Sequence, residues 1–171
     1  MVDNNYPPER LFVMWLYKDK EFDPAEYSFE NLAGFVYMIT DLTNNKKYIG
    51  KKNFWAIQRL RPLKGKTRKR VVKKESDWTT YHGSNEEVKY LVETEGTKRF
   101  KREILRLCKS KGEMTYFEMK EQFDREVLFS DEYYNEFIGG KIHSKHVKGI
   151  IARGETHGPS ERVRCTRSQS S

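Results

Sequence analysis

The chain is organised around residues 34–50, which read GFVYMITDLTNNKKYIG. The first half is rich in β-branched and aromatic residues, the middle, Thr43 to Lys46, has turn chemistry, and Lys47 to Gly50 returns as a second short strand. This pattern predicts a β-hairpin. Tyr37 and Tyr48 each lie within one arm, so the hairpin would bring two phenols to one small sheet.

The segment after the hairpin, residues 51–74, carries eleven of the chain's 33 basic residues and no acidic one. Its apolar residues before Pro62 recur at helical spacing, which predicts a helix that Pro62 ends. The remainder, around Gly65, is predicted to be a mobile basic loop that contacts phosphates without reading sequence. The candidate nucleic-acid-binding residues of this segment are Lys51, Arg61, Lys64, Lys66, Arg68, Lys69, Arg70, Lys73 and Lys74.

The composition points to one basic domain. The chain has 171 residues, a formal net charge of +8 and 13% aromatic residues, so it is long enough for one domain with an aromatic core and favours a polyanionic partner such as nucleic acid. Its two cysteines form no disulfide or zinc pattern, and no apolar run reaches membrane-spanning length. We therefore expect an intracellular, cytoplasmic protein that does not bind membranes.

The remaining elements complete a small α/β (α+β) fold, a three-stranded sheet flanked by helices. Further elements are predicted over residues 85–95 (helix), 98–108 (third strand) and 114–129 (helix). Ser84 and Glu87 have capping-box spacing for the first helix, and Gly96 would end it.

Three segments are expected along the chain. Residues 1–33 would be an N-terminal extension that packs on the core, residues 34–140 the single domain, and residues 141–171 a basic, flexible tail. Within the extension, the apolar run 11–17 is predicted as either an extra strand or a helical turn, since its periodicity does not decide between them.

The motifs resemble a known family. Phe35-Val36-Tyr37, ten residues and then Tyr48-Ile49-Gly50 resemble the signature of the GIY-YIG nuclease superfamily; the second tripeptide matches in full and the first keeps its Tyr. Later features, in the same order, resemble the phage-borne branch related to homing endonucleases. They are the Lys-Lys pair after the second tripeptide, the Trp78-x-x-Tyr81-x-Gly83-Ser84 stretch, a Glu-bearing helix and Tyr133-Tyr134-Asn135.

The resemblance implies hydrolysis of a DNA phosphodiester with one divalent metal ion, Mg²⁺. Tyr48 would be the general base, made acidic by Lys51 or Lys52. Tyr37 would hydrogen-bond the nucleophile or a phosphate oxygen. The remaining implied roles are charge stabilisation at the phosphate by Arg59, metal binding by Glu118 and bracing of the site by Asn135.

Two of these assignments have alternatives in the sequence. The family's arginine falls at Gln58 here, so Arg59 takes the role if the predicted helix starts one residue later, and Arg61 is the second choice. Glu121 competes with Glu118 for the metal, because both lie nearly one turn apart on one helix flank.

The expected function is a homing-endonuclease-like, Mg²⁺-dependent endonuclease. Its partner would be duplex DNA, it would act as a monomer or homodimer, and it would work in the host cytoplasm if it is phage-encoded. The alternative is a catalytically inactive nucleic-acid-binding module on the same scaffold.

Overall fold

A five-stranded mixed sheet forms the centre of the computed structural model, which describes residues 14–154. The strands, in chain order, are β1 (Trp15–Tyr17), β2 (Lys20–Glu21), β3 (Gly34–Asp41), β4 (Lys47–Asn53), β5 (Trp55–Leu60), β6 (Arg70–Glu75) and β7 (Phe100–Cys108). The α-helices are α1 (Glu86–Glu95), α2 (Lys111–Asp124) and α3 (Ser144–Ala152), and short 3₁₀ helices span Pro24–Glu26, Phe29–Asn31 and Thr97–Arg99. Within residues 14–154, no helix is both long and apolar enough to cross a membrane.

The central sheet has the strand order β2-β1-β7-β3-β4. Strand β3 pairs antiparallel with β4 and β7, while β1 adds parallel to β7 and antiparallel to β2. The α+β class is confirmed, but the predicted three-stranded sheet is wrong by two strands. The missing strands come from the N-terminal segment, where Trp15 and Leu16 are both buried, so no alternation marked them as a strand.

The predicted hairpin is formed by β3 and β4, and local side chains explain its turn. Asp41 Oδ1 accepts a hydrogen bond from the Thr43 amide at 2.9 Å, and Asn45 adopts a left-handed φ of +61°. In the paired strands Tyr37 lies opposite Gly50. A Cβ at Gly50 would come within 2.4 Å of the Tyr37 hydroxyl oxygen, so glycine is required there.

The segment after the hairpin is a strand pair and not the predicted helix and loop. Strand β4 continues to Asn53 because Lys51 and Lys52 pair with Val36 and Phe35 of β3. Beyond the buried Phe54, β5 and β6 form a separate two-stranded antiparallel sheet. These pairings join residues 10 to 20 positions apart, beyond the reach of a local pattern, and they override the helical spacing of the apolar residues.

The core lies on both faces of the central sheet. One face carries an aromatic cluster with Trp15, Phe35 and Tyr37, on which α1 packs through Val88. The other face carries a smaller cluster that includes Val36, on which α2 packs. Neighbouring residues of β3 thus belong to opposite clusters, as the two-residue period of a strand requires.

Side-chain caps set the limits of the helices. Asn85, and not the predicted Ser84, caps α1, because its Oδ1 accepts from the Val88 amide at 3.0 Å. Helix α1 ends at Gly96, as predicted. Helix α2 starts earlier than predicted, after Ser110, and it also ends earlier, just before Glu126 takes a φ of +50°.

A third helix lies in the segment predicted to be a flexible tail. Helix α3 packs on α2, with Ile150 buried, and Arg153 donates a hydrogen bond to Glu113 at 2.7 Å. The rest of the predicted tail, residues 155–171, and residues 1–13 lie outside the described part of the chain. The proposed division into three segments stays a prediction.

Candidate active site

An open cleft of about 330 Å³ lies along β4, the edge strand of the central sheet. Strand β4, the loop before α1, helix α2 and the segment after α2 all contribute side chains to it. Its lining includes Tyr48, Lys51, Ser84, Asn85, Glu118, Gln122, Tyr134 and Asn135. The structure therefore brings three of the sequence-predicted site residues, Tyr48, Glu118 and Asn135, together with Lys51 in one concave place.

Tyr48 reaches the cleft from the aromatic face of the sheet. Its hydroxyl shares a hydrogen bond of 2.8 Å with the Ser84 hydroxyl, and its ring rests on Gly83, where a Cβ would lie 3.2 Å from the ring carbons. Burial raises the pKa of Tyr48 above its usual value, while the bond to Ser84 acts in the opposite direction. The sequence argument, which counted the neighbouring lysines but not burial, expected a lowered pKa.

Lys51 and Glu118 form an ion pair within the cleft. The Nζ atom of Lys51 lies 2.5 Å from Glu118 Oε2, and the side chains are 34% and 15% exposed. Lys51 lies opposite Val36 in the paired strands. Its side chain therefore projects from the face of β4 on which α2 packs. The alternative metal ligand, Glu121, is paired with Arg125 at 3.0 Å and does not line the cleft.

Lys52 points to the opposite face and holds the loop before α1. Its Nζ lies 2.6 Å from Asp77 Oδ1 and 3.7 Å from the centre of the Tyr81 ring. The hydrogen bond from Lys52 lowers the pKa of Asp77. Lys52 is therefore committed to positioning this loop and does not line the cleft.

The buried Arg102 holds the same loop from the central sheet. Arg102 donates hydrogen bonds to the carbonyls of Thr79 and Tyr81, both at 2.9 Å, and its guanidinium lies over the Trp15 ring. Burial lowers the pKa of Arg102 to about 10. The loop that carries Ser84 is thus held against the central sheet by Arg102, which belongs to β7.

Tyr37 is fully buried beneath Tyr48. Its ring lies 6.2 Å from that of Tyr48 and 5.9 Å from that of Tyr81, between ring centres. Burial raises the pKa of Tyr37 well above its usual value, and the neighbouring Tyr81 and Tyr48 add to the effect. Tyr37 does not line the cleft, so its contact with the site passes through the ring of Tyr48 and the backbone of Gly50.

Asn135 fastens the C-terminal segment to β4. Its Oδ1 accepts from the Ile49 amide at 2.9 Å, and its Nδ2 donates to the Ile49 carbonyl at 2.8 Å. Gln122 donates to the same carbonyl at 3.1 Å. One asparagine side chain therefore completes the hydrogen bonding of a buried edge-strand residue, next to Tyr48.

Tyr134 and Asn85 also line the cleft, although the sequence argument gave neither of them a role. The Tyr134 hydroxyl donates to Asp41 Oδ2 at 2.8 Å, which ties the C-terminal segment to the hairpin turn. Asn85 Nδ2 donates to the Tyr134 carbonyl at 3.0 Å. The sequence signal for Tyr134 was its place in the quoted motif Tyr133-Tyr134-Asn135, and Asn85 directly follows the motif that ends at Ser84.

Arg59 and Arg61 lie away from the cleft. Arg59 is on β5, Arg61 follows that strand, and both side chains are exposed and absent from the cleft lining. Apart from Lys51, the other predicted nucleic-acid-binding residues also belong to β5, β6 or their connection. They are Lys64, Lys66, Arg68, Lys69, Arg70, Lys73 and Lys74, and all are exposed.

The cleft offers a metal ion one carboxylate from helix α2. Among residues 14–154 no group of three or more His, Cys, Asp or Glu side chains is arranged to hold a metal. Mg²⁺ keeps several waters and is commonly bound through one or two carboxylates. Glu118, beside open space in the cleft, fits this requirement, although its carboxylate is now paired with Lys51.

A comparison with protein families matches residues 15–138 to the family model described as "Putative endonuclease segE, GIY-YIG domain". The match covers more than two thirds of the chain and includes every element of the cleft described above. Neither the comparison with curated proteins nor that with solved structures finds a match.

Proposed function

Because this chain belongs to the segE-type GIY-YIG endonuclease family, we propose that it is a Mg²⁺-dependent, homing-endonuclease-like enzyme that hydrolyses phosphodiester bonds of duplex DNA. The observation that carries this proposal is the cleft that Tyr48, Lys51 and Glu118 all line. It joins a base, a cation and a carboxylate, which are the groups that phosphodiester hydrolysis requires.

Tyr48 is the general base. In its deprotonated form it takes a proton from water as the water oxygen bonds to phosphorus and the bond from phosphorus to the leaving oxygen breaks. Burial raises the pKa of Tyr48, so little of it is deprotonated at neutral pH. The Ser84 hydroxyl, 2.8 Å away, can donate to the phenolate and favours that form.

Lys51 stabilises the charge that develops on the phosphate. It is the basic side chain that lines the cleft beside Glu118, whereas Arg59 and Arg61 lie on the β5–β6 strand pair. We therefore assign to Lys51 the role that the resemblance gave to Arg59. A bound phosphate draws Lys51 away from Glu118, which frees the carboxylate.

Glu118 would hold Mg²⁺, and Asn135 would keep β4 in place beside it. When bound, the ion would polarise a phosphate oxygen and neutralise part of its charge. Lys52 and Arg102 act indirectly, because they fix the loop that carries Ser84.

A DNA-binding module without catalysis is the second candidate. The observation that favours it is the position of Arg59 outside the cleft, which leaves the site without the arginine that the family motif supplies.

The test is cleavage of supercoiled plasmid at low salt, in Mg²⁺ and in EDTA, by the parent protein and by Glu118→Gln. We expect Mg²⁺-dependent cleavage that falls by at least about 100-fold in the variant, as is typical when a group that stabilises transition-state charge is removed. The matched control is Glu121→Gln on the same helix, which should cleave like the parent because Glu121 is paired with Arg125 outside the cleft.

The outcomes separate the candidates. Loss of cleavage in Glu121→Gln but not in Glu118→Gln would move the metal ligand to Glu121. Binding of plasmid without cleavage in Mg²⁺ or Mn²⁺ would favour the binding module. The order in which nicked and linear plasmid appear also reports whether one chain or two act on a site.

A further inference from the structure

The β5–β6 strand pair with its connection, residues 55–75, forms a basic hairpin that stands apart from the central sheet. Residues 56–74 contain nine basic side chains and no acidic one. Lys73 donates to the Glu30 carbonyl at 3.1 Å. The other eight form no ion pair or hydrogen bond with another side chain of residues 14–154. The positive charge of the hairpin is therefore free to meet an external polyanion.

The strand register divides the hairpin into two faces, since directly paired residues point the same way. The inner face contacts the rest of the protein at the base of the hairpin: Trp55 Nε1 donates to the Leu32 carbonyl at 2.8 Å, and Lys73 Nζ donates to the Glu30 carbonyl at 3.1 Å. The outer face carries Ala56, Gln58, Leu60, Arg70, Val72 and Lys74.

The outer face is open to solvent and has the chemistry of base recognition. Gln58 pairs with Val72 and Leu60 with Arg70, so the Gln58 amide and the Arg70 guanidinium are diagonal neighbours on this face. Both side chains are exposed. An arginine fork matches the O6 and N7 atoms of guanine, and a glutamine amide matches N6 and N7 of adenine.

The dimensions of the hairpin suit one groove of DNA. Each strand has six residues, which gives a length of roughly 20 Å at about 3.3 Å per residue. A two-stranded β-ribbon fits the major groove, which is about 12 Å wide and in which each base pair presents a distinct pattern of donors and acceptors. The basic residues of the connection, such as Lys66 and Arg68, would then lie near the phosphates.

We propose that the outer face of the basic hairpin enters the major groove of duplex DNA and reads base edges through Arg70 and Gln58. This inference rests on the proposed function, which makes duplex DNA the substrate. The sequence alone had predicted a mobile loop that contacts only phosphates. Base reading is proposed in its place, because the paired strands hold Gln58 and Arg70 at a fixed spacing.

The experiment selects preferred duplexes from a randomised pool with the full chain in EDTA, so that binding is measured without cleavage. The parent should select a defined sequence. Arg70→Ala removes the guanidinium, so discrimination at one position should fall about tenfold or more, whereas loss of a phosphate contact alone would weaken binding equally for all sequences. Gln58→Ala should relax discrimination at a neighbouring position. Ile57→Ala, the adjacent truncation on the inner face, should leave the preference unchanged.

A second measurement identifies the groove. Replacing guanine by 7-deazaguanine in the selected duplex removes a major-groove acceptor, so it should weaken binding by the parent and have little effect on binding by Arg70→Ala. Binding without base preference, or a preference that both variants retain, would overturn the inference while leaving the endonuclease proposal intact. Absence of any binding to duplex DNA at low salt would overturn both. Equal thermal unfolding of all variants shows that the comparison concerns binding and not folding.

Discussion

Replacing Asn135 by alanine should destabilise the protein far more than the loss of so small a side chain suggests. The Asn135 side chain is only 8% exposed, and it supplies both an acceptor and a donor to Ile49, which is fully buried. In the alanine variant the Ile49 amide has no acceptor, and water has little access to the strand at that point. The Ile49 carbonyl keeps the hydrogen bond from Gln122.

The magnitude follows from these two groups. A buried donor left unpaired costs about 1–3 kcal/mol, and the lost bond to the still-paired carbonyl costs about 0.5–1.5 kcal/mol. The expected loss in the free energy of unfolding is therefore about 1.5–4.5 kcal/mol. For a chain of 171 residues this corresponds to roughly 3–18 °C in Tm.

The assay is urea-induced unfolding followed by the fluorescence of the tryptophans, of which Trp15 and Trp78 are buried. The midpoint should fall while the slope m is unchanged, which is the signature of a change in stability alone. Gln122→Ala is the matched control: it removes one of two donors to the Ile49 carbonyl and leaves the amide paired, so it should cost about 0.5–1.5 kcal/mol. An Asn135→Ala variant no less stable than Gln122→Ala would refute the reasoning.

Two further predictions concern titration. Ser84→Ala removes the hydrogen bond that lowers the pKa of Tyr48, so the pH dependence of plasmid cleavage should move to higher pH. Ser84→Thr keeps a hydroxyl and should keep the parent profile. An unshifted profile in Ser84→Ala would argue against Tyr48 as the base. Burial acts to raise the pKa of Asp41, but hydrogen bonds from Arg99, Thr43 and Tyr134 hold it below its usual value. Because the folded pKa is lowered, this stability is present above the unfolded pKa of about 3.9 and is lost as pH falls through the folded pKa. Unfolding free energies measured from pH 6 to pH 2 should therefore fall less steeply for Asp41→Asn than for the parent, and parallel curves would contradict this.

The sequence predicted the local elements well where side chain and backbone act within a few residues. The turn at Asp41 to Lys46 and the glycine that ends α1 are of this kind. The helix expected before Pro62 shows the limit. Phe54, Ile57 and Leu60 recur at helical spacing, yet Ile57 is 60% exposed on a strand, because pairing of β5 with β6 decides the structure there.

The same limit applies to the candidate site. The order of the motifs predicted that Tyr48, Glu118 and Asn135 would belong to one site, and all three line the cleft. The pairing of Lys51 with Glu118 joins residues 67 positions apart, and the pairing of Tyr48 with Ser84 joins residues 36 positions apart. Such partners depend on how α2 and the loop before α1 pack on β4. Burial, which sets the direction of the Tyr48 pKa, is likewise a property of packing.

The basic hairpin forms a sheet separate from the central one, and this separation bears on how the protein can evolve. None of its residues from 56 to 74 belongs to the buried core, and its anchors, Phe54, Trp55 and Trp78, lie at or beyond its base. Surface substitutions of this kind typically change stability by no more than about 0.5 kcal/mol. Mutations in the hairpin can therefore accumulate without loss of folding. Under the proposed role of the hairpin in reading DNA, a lineage would acquire a new target while the cleft is inherited unchanged.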